Sequence, residues 1–154
     1  MVQYFSFELS KPDQKSEYIK IFRESDGVYL ETAHGIRGMY MSDHVKKYKL
    51  NSKSEVMISL LIEPLKIYTW PKAIPAGYVP GKHMMGCDIA SWSIEYKEAE
   101  KKTMRHIYGK GAFPAAPPYS DLQECLKWIL PVSCEFSGIM SLDYSGNNPG
   151  INAK

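Results

Sequence analysis

Apolar and polar residues alternate at period two over several short stretches of this chain, the pattern of β-strands with one buried face. In residues 2–9 ("VQYFSFEL"), Phe5, Phe7 and Leu9 fall on one side. "EYIKIFRES" alternates again from Glu17, and Ser25-Asp26-Gly27-Val28 carries the Asp-Gly dipeptide of a tight hairpin turn with positive φ. "VYLETA" is then the partner strand. Gly35 and Gly38 loosen the backbone, and "HVKKYKL" reads as a further strand whose lysines suit a sheet edge. Further on, Ala90, Trp92, Ile94 and Tyr96 share one face, opposite Ser91, Ser93, Glu95 and Lys97. The charged run "KEAEKK" turns the chain. Met104, His106 and Tyr108 alternate with Thr103, Arg105 and Ile107 on the return, and Gly109, Gly111 and Pro114 let the strand leave the sheet.

Two segments change to helical spacing. Ser52-Lys53-Ser54-Glu55 matches a capping box, in which a serine hydroxyl takes an orphan amide and the glutamate reaches back. Val56, Leu60 and Ile62 or Glu63 follow at helical spacing, and Pro64 forbids continuation, which predicts a helix over about residues 53–63. The second is clearer. Ser120 and Gln123 form another capping box, and Leu122, Cys125, Leu126, Ile129 and Leu130 recur at i, i+3, i+4, i+7 and i+8. Leu60 with Leu61, and Leu122 with Leu126 and Ile129, are the expected helical contributions to the core. A strand within residues 134–142 and a polar tail over residues 143–154 complete the chain.

Helices inserted between hairpins, rather than after every strand, point to an α+β fold. The expectation is one domain over residues 1–154, with an antiparallel sheet of about five to seven strands and two helices packed on it. The apolar fraction of 44% and charged fraction of 23% suit a single ordinary core. A net charge of +2 argues against nucleic acid or an anionic membrane as partner. No apolar run reaches the length of a membrane span, and the first residues lack the features of a signal peptide, so a cytoplasmic protein is expected. Three cysteines (Cys87, Cys125 and Cys134), none in a C-x-x-C pair, read as free thiols.

The order of residues from Lys66 to Ile129 resembles a module of small bacterial proteins of unknown function. That module has a D-G-x-x-W strand, a turn, a G-x-N-A-Y-P step and a helix. Asp88 and Trp92 match its Asp and Trp, while Gly109, Gly111, Ala112, Phe113 and Pro114 approximate the later step. Ile89 stands where that pattern has glycine, and Gly111 where it has asparagine. The resemblance implies no established activity; some proteins of that module look like immunity proteins that neutralise toxins.

Candidate chemistry is sparse. "GKGAFP" fails the phosphate-loop pattern, and no dinucleotide fingerprint occurs, so no cofactor is expected. His34, His44, His83 and His106 form no H-x-H or H-E-x-x-H pair, so a metal site would need distant partners and none is expected. Cys125 lies on the apolar stripe of the second helix and reads as inert. Cys87, beside Asp88 and four residues after His83, is the one candidate for a cysteine–histidine enzyme. The favoured reading is instead a protein-interaction module. Trp70, Ile74, Tyr78, His83, Met84 and Met85 crowd a proline- and glycine-rich loop over residues 70–86, and aromatic and methionine side chains suit protein contacts. The competing view of that loop is that Trp70 and Tyr78 cap one end of the sheet.

Overall fold

The computed structural model describes residues 1–10, 15–74, 91–110, 114 and 117–129. They form one sheet and two helices, an α+β fold. The strands are β1 (Val2–Ser10), β2 (Lys15–Glu24), β3 (Gly27–Ile36), β4 (Val45–Leu50), β5 (Ala73–Ile74), β6 (Ser91–Glu98) and β7 (Arg105–Lys110). Helix α1 (Ser52–Ile62) follows β4, and α2 (Tyr119–Ile129) follows β7. The sheet order is β4-β3-β2-β1-β6-β7-β5. Every neighbouring pair is antiparallel except the two-residue contact of β5 with β7, which is parallel. The lysine-rich strand β4 lies at one edge, as its composition suggests.

Register explains the core. On β1, Phe5 stands opposite Ile21 and Tyr96, Phe7 opposite Ile19 and Ile94, and Leu9 opposite Glu17 and Trp92. All these side chains are buried, and Ile58, Ile62, Leu122, Leu126 and Ile129 of the helices join the apolar members in one cluster. Both helices therefore cover the same face. Each fully buried leucine or isoleucine there stabilises the fold by about 1.5–3 kcal/mol. The other face carries Tyr4, Glu8, Tyr18, Lys20, Phe22, Tyr29, Glu31 and Lys47, and is half-buried to exposed, as expected of an antiparallel sheet with one solvated side.

Four local expectations need correction. Helix α1 is capped by Asn51, whose Oδ1 accepts from Ser54 N at 2.8 Å, and not by Ser52. Glu55 does not reach back because its carboxylate meets Arg23 on β2 at 3.2 Å. That cap and the sheet contacts set the helix rotation: Ser54, Ile58, Ser59 and Ile62 face inward, and Ser59 Oγ accepts from Val2 N at 3.1 Å. Leu60, expected in the core, is instead 70% exposed, and Val56, which shares its helical spacing, is 49% exposed. Helix α2 begins at Tyr119, with Leu122 N donating to Pro118 O, so Ser120 lies inside the first turn rather than at its cap.

The glycines also act differently from their reading as loosening points. The β2–β3 turn residues are Ser25 and Asp26, and the positive φ, +150°, falls on Gly27 at the start of β3. Gly109 lies within β7, directly opposite Trp92, and a Cβ there would sit 2.5 Å from Trp92 Cε2. It is glycine because an indole lies across it. The expected strand in residues 134–142, the tail, Asp88, Cys87 and Cys134 lie outside the described residues.

Candidate functional site

Trp70 follows two 3-10 turns, Glu63–Leu65 and Ile67–Thr69, joined by Lys66 in the left-handed region (φ 51°). That path carries its indole inward. The ring is 3% exposed, its Nε1 donates to Leu65 O at 2.9 Å, and it meets Tyr119 edge-on at 4.8 Å between centroids. Its carbonyl accepts from Arg105 on β7. Trp70 is thus a packing anchor between the helix–sheet connection and α2. Ile74 is half-buried in β5, opposite Gly109. Tyr78, His83, Met84 and Met85, together with Cys87, lie outside the described residues.

Cys125 is half-buried, and its Sγ contacts Leu61 O at 3.2 Å. Burial first, then the nearby carboxylates of Asp121 and Glu124, pushes its thiol up to about 11. A thiol held protonated at neutral pH is a poor nucleophile. Among the described residues, no group of three or more His, Cys, Asp or Glu is arranged to hold a metal.

The surface feature that sequence reading missed is the connection from β3 to β4. Gly35 passes so close beneath the Met39 backbone that a Cβ would overlap its carbonyl. Arg37 (φ 54°) and Gly38 (φ 76°) are successive left-handed residues and reverse the chain, so that Met39 N donates to Ile36 O at 3.0 Å. Gly38 N donates to Ser16 Oγ at 2.9 Å. Tyr40 then lies back on the open sheet face. Its hydroxyl donates to Glu8 at 2.6 Å, and its ring meets Tyr18 edge-on at 4.8 Å. Tyr18 in turn donates to Glu31 at 2.5 Å. Burial, reinforced by these carboxylates, raises both phenols well above their ordinary range, so they remain proton donors to Glu8 and Glu31.

This anchoring leaves a fixed tip with apolar side chains in solvent. Ile36 is 62% exposed, Met39 70% and Met41 62%. Lys15, opposite Ile36 in register, and Arg37 add positive charge beside them. The arrangement offers shape and apolar area.

No protein-family model matches the chain, and no curated protein matches it.

Proposed function

We propose that this chain is a protein-interaction module of immunity or inhibitor type, docking through the β3–β4 tip onto an apolar pocket. One observation carries the reading: Ile36, Met39 and Met41 are exposed on a connection that Gly38, Tyr40 and Ser16 hold in place. A tip already fixed loses little entropy on docking, and methionines adapt to the surface they meet. No helix among the described residues is long and apolar enough to cross a membrane. The bacterial-module resemblance makes a toxin-type protein the first candidate partner.

The test is capture of a partner from cells that express the chain, followed by affinity measurement with M39D and M41D. Each variant is expected to keep the fold, by circular dichroism, and to bind at least about tenfold more weakly, or ~1.4 kcal/mol. Unchanged affinity in both rejects this surface. Alanine at Tyr78 and Met84 examines the 70–86 loop in the same assay. The rival enzyme reading, with Cys87 as nucleophile and His83 as base, requires a Cys87 thiol pKa well below the free-thiol value of ~8.5 and fast alkylation.

A further inference from the structure

The same connection holds a second feature, made of histidines that are ten positions apart in the sequence. Strands β3 and β4 pair as far as Ala33 opposite Val45. His34 and His44 are the next residues outward on each side, with His44 ending the 3-10 turn Ser42–His44. Directly opposed positions on antiparallel strands place Cβ atoms about 4.5–5.5 Å apart on one face. The two imidazoles meet there, with centroids 4.4 Å apart and planes 22° from parallel. Both residues are exposed, and Asp43 Oδ2 stands 3.8 Å from His44 Nε2.

We propose that His34 and His44 form a two-imidazole site for a divalent transition-metal ion such as Ni²⁺ or Zn²⁺. Imidazole nitrogens bind these ions at about 2.0–2.1 Å, which puts two nitrogens on one ion roughly 3 Å apart. The rings, with centroids 4.4 Å apart, can each aim one nitrogen at a common ion by rotating about their side-chain torsions out of the stacked arrangement, which exposed side chains permit without moving either strand. Water fills the remaining coordination positions, with the Asp43 carboxylate near enough to receive a hydrogen bond from one of them. Two ligands rather than three make the site weaker than a structural zinc centre and open to exchange. Its position has a mechanical consequence: residues 35–43 lie between the ligands, so a bound ion closes the base of the β3–β4 tip.

The experiment is titration of the full chain, thiols reduced, with Ni²⁺ and then Zn²⁺, while the histidine imidazole resonances are followed by NMR. Paramagnetic Ni²⁺ is expected to broaden the signals of His34 and His44 together and first. His106, exposed on β7 with Glu95 beside it at 3.7 Å, is the internal control. H34Q and H44Q are each expected to weaken binding at least about tenfold, the scale on which loss of even an outer-shell partner is felt. H106Q should leave it unchanged. Ni²⁺ should also raise the thermal midpoint of the unmodified chain and not that of H34Q. No binding of either ion, or binding that survives both H34Q and H44Q, overturns the proposal. Circular dichroism separates loss of the site from loss of fold.

Discussion

Replacing Gly109 with alanine adds one methyl group at a place with no room for it. The methyl would lie 2.5 Å from Trp92 Cε2 and 2.8 Å from Nε1, inside any real carbon contact. The indole cannot swing aside: it is 3% exposed and stacks on Phe7, with centroids 6.4 Å apart and planes 3° from parallel. Gly109 has no positive φ, so alanine meets no backbone penalty and the clash stands alone. Forcing a methyl into a filled core costs about 1–3 kcal/mol. With a urea m-value of about 2 kcal/mol per M, the midpoint should fall by roughly 0.5–1.5 M.

A second background makes the reasoning refutable. In Trp92→Leu the ring is gone, and the same Gly109→Ala change should be nearly neutral, or stabilise by about 0.4–1 kcal/mol through the restricted unfolded chain. The assay is urea unfolding of all four proteins by far-ultraviolet circular dichroism. A coupling of at least about 1 kcal/mol is expected, well outside the ~0.3–0.5 kcal/mol scatter of independent sites. Equal costs in the two backgrounds would refute the argument that the indole dictates this glycine.

Three further outcomes follow from the core, the cap and the thiol. Leu126→Asp should abolish cooperative unfolding, because Leu126 is fully buried, whereas Leu60→Asp should shift stability by no more than about 0.5 kcal/mol; circular dichroism melts compare them. Asn51→Ala should cost about 0.5–2 kcal/mol and Ser52→Ala almost nothing, measured by denaturant midpoints, because only Asn51 bonds the Ser54 amide. The Cys125 thiol is raised from 9.0 to about 11, so the folded state keeps a proton that the unfolded state releases. Its stability contribution is complete below pH 9 and is lost as pH rises toward 11, and Cys125→Ala should flatten that part of the stability-against-pH curve.

The strands were legible because a buried face imposes period two along them: β6 alternates from Trp92 to Tyr96, and β1, β2 and β3 alternate over most of their length, with breaks at the bulge between Val2 and Tyr4, at Ser16–Glu17 and at Thr32–Ala33. Helix α1 was legible as a helix but not in its rotation. Val56, Ile58, Leu60, Leu61 and Ile62 make it apolar on nearly every side, so spacing alone favours no inward stripe. What decides is the Asn51 cap and the contact of Ser59 with Val2, neither of which periodicity reports. Gly35 and Gly109 were misread for a related reason. Their need for a bare Cα comes from the Met39 backbone and the Trp92 ring, which arrive from elsewhere in the sequence.

The candidate site was hidden by the same non-local logic. Aromatics beside prolines suggested a surface at Trp70, but composition does not say which way a ring points, and Leu65 O and Tyr119 draw this one inward. His34 and His44 form no metal motif along the chain, because their juxtaposition exists only across the β3–β4 register, one step beyond Ala33 and Val45. The tip itself separates the two roles that a sequence reading merges. Tyr40 is bound to Glu8 and Tyr18, so changing it disturbs the shape of the connection and any binding together. The side chains of its neighbours Met39 and Met41 are mostly in solvent. Folding gains little from their apolar area, about 25 cal/mol for each Å² withdrawn from water, unless another surface covers it. Charge placed at Met39 or Met41 is therefore expected to leave the fold alone, so weaker binding by either variant would report on the proposed docking surface.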